Sequence, residues 1–129
     1  HQTLMPKVDQ ALAAMVDDLI DRGMWENTLL VLMSEFGRTP RINGHIGRDH
    51  WPEAWSVVMG GCGLKHGVVH GATNKLGTWV ENESHDIGHL FHTWFHALGI
   101  DPHQVEYDNV GQPLPIAHDD CHEIKEVLA

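Results

Sequence analysis

Residues 28–33 read Thr28-Leu29-Leu30-Val31-Leu32-Met33, an apolar run without polar alternation. Such a run is typical of a strand that is buried on both faces. A second apolar run, Trp55-Ser56-Val57-Val58-Met59, ends in Gly60-Gly61-Cys62-Gly63, where the glycines permit a sharp turn. Two buried strands of this kind, the first preceded by a helical segment, predict an α/β fold.

Helical periodicity lies on both sides of these strands. Apolar residues recur every three or four positions from about Leu4 to Arg22, with Pro6 in the first turn and Gly23 as the C-terminal stop. A second helix is predicted from Asp86 to Leu98 by the same spacing.

The remaining segments carry weaker patterns. Residues 68–71 and 77–80 predict a short hairpin. The tail from Asp101 is rich in proline and is predicted to be loop-like, with a short helix over residues 123–128. No internal repeat or domain boundary is visible in the sequence.

Composition excludes some function classes. The 129 residues carry 8 Lys+Arg and 18 Asp+Glu, a formal net charge of −10, which argues against binding nucleic acid or an anionic membrane surface through basic residues. The sequence holds no apolar run of membrane-spanning length. Cys62 and Cys121 are far apart and lack the spacing of a zinc site.

The densest polar stretch, residues 34–52, lies between the two predicted strands. Ligands of open α/β sheets bind beyond the carboxyl ends of the strands, so this loop is the first candidate site. Arginine suits phosphate or sulfate, whereas aspartate and histidine suit divalent metals. A salt-bridged surface loop explains the composition equally well. The charged and imidazole side chains of the stretch are Glu35, Arg38, Arg41, His45, Arg48, Asp49 and His50.

Four histidines share one face of the second predicted helix, since their spacing is i, i+4, i+7 and i+11. This face lies opposite the apolar stripe and is predicted to be solvated. A metal site there is disfavoured because the sequence indicates neither a catalytic glutamate nor a third ligand. A pH-responsive surface association is the alternative, since the imidazoles change charge near neutral pH. The four residues are His85, His89, His92 and His96.

Several ordered motifs resemble a known family. The chain is similar to the bacterial domain-of-unknown-function family 1501, a sulfatase-like branch of the alkaline phosphatase superfamily, over nearly its whole length. The segments that carry the resemblance are 34–40 (SEFGRTP), 47–52 (GRDHWP), 60–65 (GGCGLK), 71–73 (GAT), 98–102 (LGIDP) and 111–113 (GQP).

The resemblance implies that residues 1–129 are the C-terminal portion of one sulfatase-like domain. The expected fold is part of an alkaline phosphatase/sulfatase-like three-layer α/β sandwich with a mostly parallel sheet.

The resemblance also implies a metal centre. In better-known superfamily members an Asp-His metal pair ends a buried strand, and Glu35 and Phe36 stand at that position. Glu35, Asp49 and His50 are therefore expected to hold a divalent metal, either zinc, calcium or magnesium. Arg38 and Arg48 are expected to bind the anionic part of a substrate.

The implied function is metal-dependent hydrolysis of a small anionic phosphate or sulfate ester. The family's nucleophile lies upstream of residue 1, so the chain is expected to work with the rest of its own polypeptide and to be inactive alone. Family members suggest an exported or periplasmic protein. Because Phe36 cannot ligate a metal, the alternative is a non-catalytic binding or structural member with a degenerate metal centre.

Overall fold

A computed structural model describes residues 3–104 and 106–129 of the chain. In this part of the chain, helix α1 spans Met5–Asp21 and helix α2 spans Ile87–Ala97. Single turns of 3-10 helix cover Trp25–Asn27 and Lys125–Val127. Both predicted α-helices are thus confirmed. Neither of these described helices combines the length and the apolar character that crossing a membrane requires.

The strands are short and form four two-stranded antiparallel sheets in the described residues, with the order β1-β4, β2-β3, β5-β6 and β7-β8. Their bounds are β1 Leu30–Leu32, β2 Gly37–Arg38, β3 His50–Trp51, β4 Val58–Gly60, β5 Ala72–Thr73, β6 Val80–Asn82, β7 Glu106–Asn109 and β8 Gln112–Pro115.

The expectation of a three-layer sandwich with a mostly parallel sheet is wrong for the described residues. Strand β1 pairs with β4 in antiparallel register, with Leu30 opposite Gly60 and Leu32 opposite Val58. A parallel neighbour requires a crossover connection, usually a helix. Residues 33–57 instead contain the β2–β3 pair and return the chain beside β1 in the opposite direction.

The two central strands are also less buried than their apolar sequences predict. Leu32 is 43% exposed and Val58 is 55% exposed. The total accessible surface is 9651 Å², whereas a self-contained globular protein of 14.5 kDa exposes about 6,900 Å². The sheet β1–β4 therefore leaves apolar surface open that a covered sheet would bury.

The tail contains a hairpin where the sequence predicts a loop. Strands β7 and β8 pair in register, with Asp108 opposite Pro113 and Glu106 opposite Pro115. Proline lacks an N–H group and argues against a central strand. In a two-stranded ribbon, however, alternate residues point their N–H groups away from the partner strand. Pro113 and Pro115 occupy such alternate positions, so their missing N–H groups remove no hydrogen bond between β7 and β8.

Helix α2 packs with its polar side against the C-terminal segment 118–124. His92 is 2% exposed and Thr93 is fully buried. The Thr93 hydroxyl donates to the carbonyl oxygen of His89 at 2.7 Å and accepts from the backbone N–H of Ile124 at 2.9 Å. The ring Nε2 of His92 lies 2.8 Å from the carbonyl oxygen of His118.

The prediction that the histidine face of α2 is solvated is therefore wrong. His92 is buried, and His85 and His89 are half-buried, while His96 is exposed. The helical spacing correctly places the histidines on one side, but this side is covered by the C-terminal segment. Two apolar residues of the predicted helix, Phe91 and Leu98, are instead 42% and 47% exposed.

A glycine allows the backbone after β4 to pack closely against residues 25–28. Gly61 has φ +78°, and a Cβ at this position would overlap the carbonyl oxygen of Thr28. The neighbouring N–H of Cys62 donates to the carbonyl oxygen of Trp25 at 3.2 Å. The absence of a side chain at Gly61 thus permits the backbone contact between residues 25–28 and the end of the strand.

We expect Thr93→Val to lower the free energy of unfolding of the full-length protein by about 1–3 kcal/mol, because the buried N–H of Ile124 loses its acceptor while the side-chain volume is kept. Urea denaturation measures the effect. Thr93→Ser, which keeps the hydroxyl, should recover part of the loss, and Thr73→Val on the exposed hairpin should change stability little. Equal effects of Thr93→Val and Thr73→Val would contradict this role for the hydroxyl.

Candidate functional site

An open cleft of about 530 Å³ lies immediately after β1. Its lining comes from two segments, one that follows β1 and one that precedes β4. The cleft thus occupies the end of the β1–β4 sheet from which the polar loop leaves. The lining residues are Ser34, Glu35, Phe36, Gly37, Arg38, Ala54, Trp55 and Ser56.

The two walls of the cleft meet at Gly37. This residue is buried in β2 opposite Trp51, and a Cβ at this position would overlap the carbonyl oxygen of Ala54. The indole N–H of Trp51 donates to the carbonyl oxygen of Thr78 at 2.8 Å, which ties this region to the β5–β6 hairpin. Close backbone approach at Gly37 therefore sets the width of the cleft.

Arg38 and His50 are cross-strand partners, so their side chains lie on the same face of the β2–β3 ribbon. The Phe36 ring packs on His50 with a centroid distance of 4.0 Å and an interplanar angle of 34°. The guanidinium carbon of Arg38 lies 5.4 Å from the centroid of the Phe36 ring, within the range of a cation–π contact. Phe36 therefore orients both the arginine and the imidazole.

The loop between β2 and β3 is held by hydrogen bonds in which each charged side chain has an uncharged partner. The Asn43 side chain donates to the Asp49 carboxylate at 2.7 Å and accepts from the N–H groups of His45 and Gly47 at 3.0 Å each. Nη1 of Arg48 donates to the carbonyl oxygen of Thr39 at 2.7 Å. Arg48 thus braces the loop, and Asp49 is engaged by an amide.

The salt-bridged alternative for this loop is wrong within the described residues. The ion pairs there join Arg22 with Asp18 and Lys125 with Glu123, and neither pair belongs to the loop. Arg48 and Asp49 are hydrogen-bonded within the loop, whereas exposed Arg38 makes one long hydrogen bond of 3.4 Å and remains available to a ligand.

The three predicted metal ligands Glu35, Asp49 and His50 are all exposed. Two carboxylates and an imidazole are suitable donors for a divalent metal. Within residues 3–104 and 106–129, however, these donors do not form one mutually close set. A metal held by Glu35 consequently requires further donors from elsewhere in the protein.

One residue of the cleft lining, Trp55, carries an unsatisfied donor. Its Nε1–H is buried and has no hydrogen-bond partner among the described residues. Leaving such a group unpaired costs about 1–3 kcal/mol. Because this atom is buried, Arg38 is the charged side-chain donor that the cleft lining offers to a ligand.

A second group of polar side chains lies at the β5–β6 hairpin. One donor atom each from His70, Glu83 and His85 lies within 4.8 Å of the other two, and no other set of His, Cys, Asp or Glu in the described part of the chain meets this criterion. The Nε2 atoms of His70 and His85 are 2.8 Å apart, and their rings are stacked with centroids 5.0 Å apart.

Burial lowers the pKa of His85 below its usual value, and neighbouring His70 and His89 lower this pKa further, whereas Glu83 and Glu126 act in the opposite direction. Since the ordinary pKa of histidine is about 6.5, His85 is neutral at pH 7. A neutral imidazole offers a lone pair to a hydrogen-bond donor or a metal.

Sequence reasoning found His85 but missed its partners. His70 and Glu83 are remote from the helix that carries the histidine repeat. The predicted hairpin could not reveal them, because pairing of residues 68–71 with 77–80 brings residue 70 towards residue 78. The observed strands are instead β5, Ala72–Thr73, and β6, Val80–Asn82, and their register, with Ala72 opposite Asn82, brings residue 70 towards residues 83–85.

The geometry defines a mixed α and β chain with an open cleft after its first strand and a separate His-Glu cluster beside its second helix. The chain belongs to the family described as "Protein of unknown function (DUF1501)", whose model matches residues 1–128. This confirms the resemblance of the motifs to domain-of-unknown-function family 1501, whereas the assignment to a sulfatase-like branch of the alkaline phosphatase superfamily stays a prediction. No curated protein and no solved structure matches the chain.

We expect Gly37→Ala to destabilise the full-length protein by about 1–3 kcal/mol, because the added methyl group must push the Ala54 backbone out of the cleft wall. Thermal unfolding and limited proteolysis between residues 34 and 56 measure the change. Gly44→Ala is the matched control, since a Cβ there meets no atom within 4 Å. If both variants unfold at the same temperature, Gly37 does not set the cleft.

Proposed function

We propose that this chain forms part of a sulfatase-like, metal-dependent hydrolase that acts on phosphate or sulfate esters. The observation that carries the proposal is the cleft after β1, where Glu35 and Arg38 line the same open space. The resemblance of the motifs to sulfatase-like proteins supports the same assignment.

In this proposal Arg38 binds the anionic part of the substrate. Its Nη1 makes one long contact of 3.4 Å to the carbonyl oxygen of Arg48, so its other N–H donors are free to meet a ligand. A planar guanidinium matches two oxygens of a phosphate or sulfate group. The Phe36 ring beneath Arg38 restricts the guanidinium and thereby reduces the entropy lost on binding.

Glu35 is proposed as a metal ligand, joined by Asp49, His50 or donors from the rest of the polypeptide. A divalent metal in such a site stabilises negative charge on the attacking and leaving oxygens of an ester. The chain itself contributes a carboxylate, anion-binding groups and a cleft wall. The rest of the polypeptide is proposed to supply the nucleophile, and the whole protein to act in an exported or periplasmic compartment.

One observation favours a second candidate, a non-catalytic member of the family that binds anions. Phe36 stands where the resemblance places a metal-binding imidazole, and it packs against His50 at 4.0 Å. This contact makes His50 less available as a ligand. Under this alternative the cleft binds sulfate or phosphate without turning over an ester.

We expect Glu35→Gln to reduce hydrolysis of aryl phosphate or aryl sulfate esters by the full-length protein by about 100-fold or more, since a lost ligand removes several kcal/mol of charge stabilisation. Its metal content should fall as well. Arg38→Gln should lower kcat/KM by about 10-fold to 100-fold, because it removes charge-assisted hydrogen bonds of about 1.5–3 kcal/mol.

Glu53→Gln and Arg41→Gln are matched controls, because both residues are exposed and lie outside the cleft lining. Unchanged metal content and unchanged hydrolysis in Glu35→Gln would refute the proposed role of Glu35. Sulfate binding that depends on Arg38, in a full-length protein that hydrolyses neither ester, would establish the non-catalytic alternative.

A further inference from the structure

The His-Glu cluster at the β5–β6 hairpin is separate from the cleft in its residues and in its chemistry. His70 precedes β5, while Glu83 and His85 follow β6 and lead into α2. Antiparallel pairing of Ala72 with Asn82 brings the two ends of the hairpin together. The three donor atoms therefore converge at the junction between the hairpin and the helix.

We propose that His70, Glu83 and His85 form a zinc-binding site that links the β5–β6 hairpin to the start of helix α2. Two imidazole nitrogens and one carboxylate are an established donor set for zinc, and three protein ligands leave a fourth position for water or another donor. Carboxylates alone would suit magnesium or calcium, but the paired imidazoles select a transition metal.

The distances agree with this assignment. Two imidazole nitrogens bound to one tetrahedral zinc at about 2.05 Å lie roughly 3.3 Å apart. The Nε2 atoms of His70 and His85 are 2.8 Å apart, so they need to separate by only about 0.5 Å to admit the metal. Both atoms are Nε2, and each ring keeps its Nδ1 for a supporting contact.

The surroundings of the cluster support a fixed site. His70 and His85 are half-buried, which restricts their rotamers, while exposed Glu83 leaves a route for entry of the ion. Glu83 has φ +51°, a conformation that costs free energy for a residue other than glycine. It places the carboxylate in the bend between β6 and His85, where a regular extended chain would carry it away.

His89 supports the cluster from helix α2. Its ring meets that of His85 edge-on, with centroids 5.3 Å apart. Nδ1 of His89 lies 2.9 Å from the carbonyl oxygen of His122 and 3.2 Å from the backbone nitrogen of the same residue. Such outer contacts commonly orient metal-binding histidines. His89 is thus a positioning residue that connects the cluster to the C-terminal segment.

A competing explanation is a plain hydrogen bond between two neutral histidines. One Nε2–H would then donate to the other Nε2, and Glu83 would be a solvated carboxylate. This arrangement explains the distance of 2.8 Å and leaves exposed Glu83 without a role, whereas the zinc site uses all three side chains. The two explanations differ in what added zinc does.

The test begins with full-length protein stripped of metal by a chelator and then titrated with zinc. We expect His70→Ala, Glu83→Gln and His85→Ala each to remove one equivalent of bound zinc, or to weaken its binding by more than about 100-fold, because loss of an outer-shell partner alone costs about 10-fold to 100-fold. His66→Ala, at an exposed histidine four residues before His70, should bind like the wild type.

Selective ¹⁵N labelling of histidine gives a second measurement that needs no variant. One equivalent of zinc should shift the Nε2 resonances of His70 and His85 in the wild-type protein. These resonances are assigned by their absence in the two alanine variants or by through-bond transfer from the backbone. Unshifted resonances of both rings, or full zinc stoichiometry in all three variants, would overturn the proposal.

The outcome is separable from that of the proposed hydrolase. Glu35→Gln should leave the zinc equivalent at the hairpin intact, and Glu83→Gln should leave the metal bound near Glu35 intact. Failure of ester hydrolysis therefore does not touch the zinc site. Loss of the same equivalent of zinc in both variants would instead contradict the assignment of two sites.

Discussion

The hydrogen bond from the Ile124 N–H to the Thr93 hydroxyl holds the most buried part of the chain together. It joins α2 to a segment 31 residues further along the chain. Thr93 has no exposed surface, so water cannot replace this bond. A buried hydroxyl that both donates and accepts is fully satisfied, which is the condition under which a polar group stabilises a core. Since the buried apolar side chains among the described residues are few, this contact between α2 and the C-terminal segment 118–124, which we call the polar seam, carries an unusual share of the packing.

The seam also determines where the histidines of α2 lie. Because Thr93 faces the C-terminal segment, His92 and His89, one and four residues before it, are turned towards the same segment. There they meet the carbonyl oxygens of His118 and His122. His85, one turn before His89, then lies against His70 of the hairpin. The orientation of α2 therefore determines both its buried contacts with the C-terminal segment and the position of His85 among the proposed zinc ligands.

The sequence predicted local structure well and long-range structure poorly. Both helices follow from residue spacing, and the apolar runs correctly indicate β1 and β4. Their relative direction does not follow, because it depends on the path of residues 33–57, whose short β2–β3 pair has no hydrophobic alternation.

For the site, Glu35 and Arg38 were identified as polar residues after a strand, and both line the cleft. His70 and Glu83 were not, because only the hairpin register reveals their proximity to His85. The burial of His92 was also hidden, since periodicity shows which residues share a face but not what covers it.

The two proposed sites differ in how much of the protein they need. The ligands of the hairpin cluster lie within 16 residues of one another, so one short loop closure assembles them, and the entropy cost is small. The cleft instead needs pairing between Leu30 and Gly60 on a sheet whose Leu32 and Val58 are half open to solvent. Apolar strands of this kind gain most of their stability when neighbouring elements cover them. The geometry of Glu35 and Arg38 is therefore sensitive to whatever packs on β1 and β4, whereas that of His70, Glu83 and His85 is set by the hairpin and α2 themselves.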